Sequence, residues 1–328
     1  MRRTSGNGAI VCVNPNVSVD HTLIVPAFEQ PAVLRTDHAR VVAGGKGLNV
    51  ARSLRVLGHS PLVVGMIGGH TGRLVSALAR DEGIDASWTE IAGETRTCVI
   101  IVSQETGLAT VINEVGPSVT AEEWSAFEAN VVAAAARSSA VCISGSLPPG
   151  VSADKFGSLI VHVVSEGAAV YVDAHGDALA SAFVSKPTAI KVNAEEAGGL
   201  LGRPVTTQDA AEASAKELLA GGIRQVLITL GQAGAVLADS HGVLFARAPS
   251  VPTISAVGSG DAFLAAYVAA RTGGLDRETA LGHGVAAGAA NAQSPFGGTF
   301  QLADFNRALA AVSVDGAQPS LPASETPI

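Results

Sequence analysis

Four consecutive residues in the C-terminal third of the chain combine small side chains with a carboxylate: Gly258, Ser259, Gly260 and Asp261. They precede the helix-forming segment Ala262 to Arg271, so they would crowd one helix N-terminus, where free N–H groups and the helix dipole attract anions. Such donors can stabilise a phosphoryl group during transfer, and Asp261 can accept the proton of an attacking hydroxyl. The alternative is that Ser259 or Asp261 only caps the helix.

A second glycine-rich element, Gly44 to Gly47, leads into a helix that Gly58 ends. Glycines at a helix start let the backbone approach a polar ligand closely, and Lys46 and Asn49 add a cation and an amide at the same end. The element has neither Walker A spacing nor the dinucleotide-binding fingerprint. It suits a polyhydroxy or phosphorylated ligand, or it is an ordinary turn and cap.

The composition excludes several classes of protein. The 328 residues are 47% hydrophobic, and 21 Lys and Arg against 29 Asp and Glu give a formal charge of -8, so the whole chain has no attraction for nucleic acid or an anionic membrane. No apolar run reaches the ~20 residues of a membrane helix. Three scattered cysteines encode no disulfide framework or zinc module, and the expected location is the cytoplasm.

Short β-branched runs alternate with Ala- and Leu-rich helical segments through most of the chain, a pattern typical of an α/β fold. The strands are continuously apolar, which predicts a mostly parallel central sheet with helices on both faces and ligands at its carboxyl edge. Two stretches, around residues 17–42 and 96–112, lack helical periodicity and predict a small β-sheet lid. We expect one domain of residues 1–313 and a loose tail of residues 314–328.

These elements resemble, in order, the motifs of the PfkB/ribokinase-type carbohydrate kinases, most closely their phosphosugar branch of 1-phosphofructokinases and tagatose-6-phosphate kinases. The matching segments run from GGKGLNVAR at Gly44 to Arg52, through Gly65 to Gly72, Ser144 to Gly150, Val172 to Gly176, Lys191 to Asn193 with Glu196, and Thr229 to Gly231 with Gly234, to Gly258 to Asp261. The opening segment, Asn14 to Asp20, is two residues longer than the family's usual NPAxD. The resemblance implies a ribokinase-like fold and ATP-dependent phosphorylation of a sugar phosphate hydroxyl, giving a ketohexose bisphosphate.

The resemblance also implies the site residues. It makes Asp261 the catalytic base and the Gly258, Ser259 and Gly260 amides the anion hole. It assigns the sugar phosphate to Asp20, Gly44, Gly45, Lys46, Asn49, Arg96 and Ser146. It assigns ATP to Asn193, Thr229, Gly231, Gly234 and Asn291, and Mg²⁺ to Asn193 and Glu196. It further suggests a K⁺ site near Ser294 to Gly298 and a homodimer through the lid.

Two other functions compete with this one. A kinase of the same family that acts on an unphosphorylated sugar or nucleoside would not need Arg96. A non-catalytic sugar-phosphate sensor would be expected to lack the catalytic acid, whereas Asp261 and its glycines are present. A nicotinamide dehydrogenase would carry a glycine fingerprint that this chain lacks.

Overall fold

The computed structural model describes residues 9–28 and 33–316, and a ten-stranded sheet forms its centre. In spatial order the strands are β14 (Ser313–Gly316), β13 (Gly242–Arg247), β12 (Gly234–Asp239), β11 (Gln225–Thr229), β10 (Ala189–Asn193), β9 (Ala169–Asp173), β8 (Ser138–Ser144), β1 (Ala9–Asn14), β4 (Leu62–Ile67) and β5 (Asp85–Glu90). All pairs from β5 to β11 are parallel, and the pairs from β11 to β14 are antiparallel. The predicted α/β class with a mostly parallel sheet is confirmed.

Helices cover both faces of this sheet. They are α1 (Lys46–Val56), α2 (Gly69–Asp81), α3 (Ala121–Ala135), α4 (Ala153–Ser165), α5 (Gly176–Ser185), α6 (Ala194–Leu201), α7 (Gln208–Ala220), α8 (Ser259–Thr272), α9 (Arg277–Ala292) and α10 (Leu302–Ala311). Alternate residues of β1 enter two different apolar clusters: Val11 and Val13 join residues of α3 to α7, whereas Ile10 and Cys12 join residues of α1, α2, α8 and α9. Burial on both faces explains why the strands are apolar throughout. Among the described residues, no helix combines the length and apolar character needed to cross a bilayer.

A separate four-stranded sheet forms the lid. Its order is β3 (Ala39–Gly44), β2 (Ser18–Val25), β6 (Arg96–Ser103) and β7 (Ala109–Asn113), which confirms the two segments predicted from the sequence. Ser18 at the start of β2 pairs with Gly44 on one side and with Arg96 on the other. The lid therefore joins the glycine-rich element at the point where α1 begins.

The N-termini of α1 and α8 meet beside the carboxyl edge of the sheet. Gly47 makes the approach of α1 possible, because a Cβ atom there would lie 2.7 Å from the Asn14 Cβ and 2.9 Å from the Val13 carbonyl oxygen. On the next helix pair, Gly284 of α9 leaves room for the Phe263 ring of α8, which a Cβ would meet at 2.8 Å. Small residues thus bring the two glycine-rich motifs of the sequence together.

The predicted tail boundary at residue 313 needs a correction. Residues 314–316 belong to β14, where Val314 pairs with Ala246 of β13 and packs against the apolar cluster that contains Ile10. Its neighbours, Asp315 and Gly316, complete the pairing with Phe245 and Leu244. The rest of the predicted tail, residues 317–328, lies outside the described residues.

The close approach of α1 to β1 predicts that replacing two helical glycines by alanine changes the free energy of unfolding in opposite directions. Gly47→Ala should lower the free energy of unfolding by about 1–3 kcal/mol, because backbone atoms must move to admit the methyl group. Gly199→Ala, in α6, where a Cβ would have no neighbour within 4 Å, should raise it by up to about 1 kcal/mol. Urea titration of both variants measures these changes, and equal changes in the two would contradict the proposed crowding at Gly47.

Candidate active site

A large cavity of about 620 Å³ lies at the carboxyl edge of the sheet. One end is charged, with Lys46, Lys191 and Asp261, and it includes the first residues of α8. The remaining wall is mostly small and apolar, with Ala248, Pro249, Val251, Val285, Ala289 and Ala292. A nucleotide is likewise charged at one end, where its phosphates lie, and apolar at the other, where the faces of its base lie. The volume and the lining residues of this cavity therefore fit ATP.

The N-terminus of α8 presents free donors to the charged end of the cavity. Gly258 precedes the helix with a φ of 79°, in the left-handed region that favours glycine. Within the part of the chain that the structure describes, the N–H groups of Gly258, Gly260 and Asp261 make no hydrogen bond, whereas Ser259 N donates to the Ala256 carbonyl over 3.2 Å. The N–H groups that are free to bind an anion are therefore those of Gly258, Gly260 and Asp261. Gly258 and Gly260 belong to the set that the resemblance implies, and Asp261 takes the place of Ser259.

Asp261 is buried, with 5% of its surface exposed. Its Oδ2 accepts a hydrogen bond of 2.9 Å from the Asn49 Nδ2 of α1. Burial raises the pKa of Asp261 to about 6, although the positive charges of Lys46 and Lys191 oppose this shift. The carboxylate is thus ionised at neutral pH and more basic than an exposed aspartate.

Two lysines surround this carboxylate, and both are held by Asp173 at the end of β9. Lys46 Nζ lies 2.7 Å from one Asp173 oxygen, and Lys191 Nζ lies 2.8 Å from the other. Lys191 also borders the helix start, because a Cβ on Gly260 would fall 2.6 Å from its Nζ. Two ammonium groups therefore stand beside the anion-binding amides.

The opposite charges of Asp173 and the two lysines stabilise one another. Burial alone would raise the pKa of Asp173, yet Lys191 and Lys46 lower it to about 2. Burial would also lower the pKa of Lys46, but Asp173 and Asp261 outweigh it and raise that pKa. At neutral pH the group therefore contains two cations and two anions.

The residues predicted for the sugar hydroxyls lie on the lid side of α1. Asp20 Oδ1 accepts a 2.6 Å hydrogen bond from the Ser18 hydroxyl, and a Cβ on Gly44 would overlap the Asp20 carboxylate at 2.0 Å. Burial raises the pKa of Asp20, while hydrogen bonds from Ser18 and Gly45 partly oppose this change. Beneath them, the buried Asn14 donates from Nδ2 to the Gly44 carbonyl over 3.1 Å. The longer opening segment thus still brings Asp20 to the glycine-rich element.

Arg96 lies at the first residue of β6, where the lid meets the sheet. Its Nε and Nη2 donate to the Asn16 carbonyl at 3.2 and 3.0 Å, and its Nη1 donates to the Glu114 carbonyl at 2.9 Å. Asn16 in turn donates from Nδ2 to the Ser146 hydroxyl over 3.1 Å. Arg96 and Ser146, both predicted to bind the sugar phosphate, are therefore joined through Asn16.

A second, smaller cavity lies under the lid, and its wall includes Asp20, Asn49 and Arg40. The Arg40 guanidinium of β3 stands over the Phe296 ring, 4.7 Å from its centroid. This cation–π contact joins the lid to the loop that follows α9.

Asn193 and Glu196 form a capping box at the start of α6. Asn193 Oδ1 accepts from the Glu196 N–H and Glu196 Oε2 accepts from the Asn193 N–H, both at 2.8 Å. Asn193 also lines the large cavity. Oxygen donors of this kind suit Mg²⁺. Among the described residues, no three His, Cys, Asp or Glu side chains form a cluster for a metal.

Three of the predicted nucleotide residues, Thr229, Gly231 and Gly234, line the large cavity. Asn291 is placed differently: its buried side chain donates from Nδ2 to the Val257 carbonyl at 2.8 Å and to the Ser259 hydroxyl at 3.2 Å. It supports the loop that leads into α8 from behind. A direct contact of Asn291 with the nucleotide stays a prediction.

The structure brings the two glycine-rich motifs together around Asp261 and adds residues that the motif analysis did not assign. The additions are Asn14, Asn16, Arg52, Asp173 and Lys191. All five lie inside segments that the sequence analysis compared with the family. For Asp173 and Lys191, only their charge, which is unusual in a buried strand, could have singled them out.

Comparisons with known proteins bear on the family of this chain. Residues 13–301 match the model of the family described as pfkB family carbohydrate kinase. The 1-phosphofructokinase of Rhodobacter capsulatus is 34% identical over 268 residues, covering 81% of this chain and 85% of its own. The 1-phosphofructokinase of Bacillus subtilis (strain 168) is 31% identical over 290 residues, covering 88% of this chain and 94% of its own.

Solved structures of Escherichia coli phosphofructokinase-2 share the fold. The complex with potassium superposes with a TM-score of 0.86 at 28% identity, covering 93% of this chain and 99% of that one. The complex with fructose-6-phosphate gives a TM-score of 0.84 at 27% identity with the same coverage, and a tetrameric inhibited form gives 0.85. Because the family model spans residues 13–301, the chain belongs to the pfkB family of carbohydrate kinases.

Proposed function

We propose that this protein transfers the γ-phosphoryl group of ATP to a hydroxyl of a ketohexose phosphate, with fructose 1-phosphate as the leading acceptor. The observation that carries the proposal is the placement of Asp261, which lines the nucleotide-sized cavity and bonds to Asn49 of the cavity under the lid. The names of the two 1-phosphofructokinase relatives support the acceptor. The fructose-6-phosphate complex of Escherichia coli phosphofructokinase-2 supports a phosphosugar more generally.

The reaction requires one proton transfer and one phosphoryl transfer. The acceptor hydroxyl gives its proton to Asp261 while its oxygen forms a bond to the γ-phosphorus, and the bond from that phosphorus to the bridging oxygen breaks to release ADP. Because burial raises the pKa of Asp261 to about 6, this carboxylate is a better proton acceptor than an ordinary aspartate and is still ionised at neutral pH. The turnover number should therefore fall as the pH drops through this value.

The phosphoryl oxygens carry the charge that the protein must stabilise during transfer. The free amides of Gly258, Gly260 and Asp261 and the ammonium groups of Lys46 and Lys191 are positioned for this purpose. Asp173 fixes both lysines before ATP binds, so little reorganisation is needed. In this proposal Lys46 acts at the junction of the two substrates, while Arg96 and Ser146 bind the phosphate already on the sugar.

Two cations complete the proposal. Asn193 and Glu196 would hold Mg²⁺, directly or through water, and the ion would neutralise charge on the nucleotide phosphates. The loop Ser294 to Gly298 is proposed to bind K⁺, and the Thr299 hydroxyl and Asn291 Oδ1 support this because both are buried without a hydrogen-bond partner in the described residues. Turnover measured with Na⁺ in place of K⁺ tests the second site.

The outer face of the lid supports a homodimer. The register places Val41, His21, Val99 and Ile112 in one row across all four strands. Val41 is 40% exposed and Ile112 is 56% exposed, so the row offers apolar surface to a second copy of the chain. Mass determination by light scattering, with Ile112→Asp as the variant, distinguishes a dimer from a monomer.

Asp261→Asn should lower the turnover number by about 10²- to 10⁴-fold, because no base remains at the start of α8. The variant should unfold at the same or a higher temperature. The pKa of Asp261 is raised in the folded state, so the folded chain binds more protons than the unfolded chain from about pH 4 to about pH 6, and ionisation costs stability at neutral pH. Coupled release of ADP and thermal unfolding measure the two effects.

Asp85→Asn is the matched control for that experiment, since Asp85 is an exposed aspartate of β5 and should be replaceable without loss of rate. Turnover of Asp261→Asn close to that of the wild type would refute the assignment of the base.

Arg96→Ala should raise KM for fructose 1-phosphate by about 10- to 100-fold, because a charge-assisted phosphate contact of ~1.5–3 kcal/mol is lost. The rate with unphosphorylated fructose serves as the internal control and should not change.

The bonds of Arg96 to the Asn16 and Glu114 carbonyls favour the second candidate, a kinase of an unphosphorylated sugar in which this arginine is structural. In that case Arg96→Ala would lower thermal stability and leave the relative KM values of the two acceptors unchanged. A panel of sugars and sugar phosphates in the same assay decides between the candidates.

A further inference from the structure

Arg52 is a buried cation on α1, one helical turn beyond Asn49, with 6% of its surface exposed. Its guanidinium makes five contacts. Nε and Nη2 donate to the two carboxylate oxygens of Glu82 at 2.5 and 3.1 Å, Nη2 donates to the Ala43 carbonyl at 2.7 Å, and Nη1 donates to Asn49 Oδ1 at 3.0 Å and to the Gly297 carbonyl at 3.4 Å. A lysine could not make these contacts at once, because they need a planar fork.

The contact with Asn49 fixes which way its amide faces. A guanidinium only donates, so the atom facing Arg52 must be the amide oxygen. The Asn49 amide nitrogen is then directed to Asp261 Oδ2, 2.9 Å away. With the amide reversed, its oxygen would face the carboxylate and repel it.

The other contacts of Arg52 reach both sides of the site. Ala43 immediately precedes Gly44, so its carbonyl marks the end of the lid strand β3. Gly297 lies against the start of α8, where a Cβ on Gly258 would meet the Gly297 Cα at 2.6 Å. One guanidinium thus connects the lid, the sugar-side helix and the loop behind the anion-binding amides.

A neighbouring arginine shows that this arrangement is specific. Arg55, one turn further along α1, also reaches the turn after α2, where its Nη1 donates to the Gly83 carbonyl. Arg55 is exposed and contacts neither Asn49 nor the loop at Gly297. A buried ion pair such as Arg52–Glu82 contributes little net stability against apolar residues of the same size, so a structural purpose alone would be served as well by other side chains.

We propose that Arg52, held by Glu82, is a positioning residue for catalysis: it orients the Asn49 amide so that Asn49 donates to Asp261 Oδ2 and leaves Oδ1 for the acceptor hydroxyl. This inference rests on the proposed role of Asp261 as the base. It assigns to Asn49 a task beyond the sugar contact implied by the family resemblance.

The test is the pH dependence of the turnover number in Arg52→Lys, which keeps the positive charge and loses the fork. Without a fixed donor from Asn49, the ionised form of Asp261 is less stabilised. The acid limb of the profile, where the turnover number falls as the pH drops, should therefore move up by about one pH unit, with about a fivefold loss of rate at pH 6. Arg55→Lys is the matched control and should keep the wild-type limb. The charged groups that face Asp261, namely Lys46, Lys191 and Asp173, are unchanged in every variant.

A double-variant cycle separates positioning from a general loosening of the fold. Asn49→Ala should itself move the limb upward, and adding Arg52→Lys to it should produce no further shift, because the intermediary is gone. Should Arg52→Lys prove poorly folded, Arg52→Gln in the same cycle gives the same comparison.

Two results would overturn the inference. One is a folded Arg52 variant whose acid limb lies at the wild-type pH. The other is an Arg52 substitution that shifts the limb as much in the Asn49→Ala protein as in the wild type. These outcomes differ from failure of the proposed function. If Asp261→Asn is inactive while the limb does not respond to Arg52, only the positioning role is lost. If Asp261→Asn retains its turnover, the base assignment is lost, and the positioning role falls with it.

Discussion

The proposed activity depends on keeping a negative charge on Asp261 inside the protein. Burial of a carboxylate disfavours its ionised form, and here it raises the pKa of Asp261 to about 6. A further rise would leave the group protonated at neutral pH, where the proposed mechanism needs it as a base. The hydrogen bond from Asn49 and the charges of Lys46 and Lys191 limit the shift.

This balance explains the need for Asp173. Without Asp173, two lysines beside one carboxylate would give the site a net positive charge, which would oppose the release of the anionic product ADP. Asp173 compensates for it and fixes both ammonium groups, because each of its oxygens accepts from one lysine. The lysines are thus arranged before substrates arrive, which is how an electrostatic site avoids reorganisation during the reaction.

Much of the fold could be predicted from local patterns. Strand β4 coincides with one of the short apolar runs of the sequence, Leu62 to Ile67, and the helix-forming segment Ala262 to Arg271 lies within α8. Continuous apolar strands and a break in helical periodicity were enough to indicate the parallel sheet and the lid. The pairing of residues 314–316 was missed, because a four-residue edge strand with one large apolar side chain carries almost no local pattern.

Candidate site residues could be predicted from local sequence patterns only where they lie together in one short segment. Gly258 to Asp261 predicts an anion-binding helix start because these four residues are consecutive in the sequence. The bridge from Lys46 to Asp173 joins residues 127 positions apart, and the bond from Asn49 to Asp261 spans 212. No rule based on the spacing of residues along the chain predicts contacts over such separations. The resemblance assigns Asn49 to the sugar phosphate, and its amide nitrogen lies 2.9 Å from Asp261 Oδ2, but only the contacts of Arg52 show which way that amide faces.

The most direct measurement of the central claim is the titration of the Asp261 carboxylate itself, followed by carbon-13 NMR of aspartate-labelled protein without substrates and assigned by the signal missing from Asp261→Asn. This account predicts a midpoint at about pH 6. A midpoint near ~3.9, the value of an exposed aspartate, would contradict it.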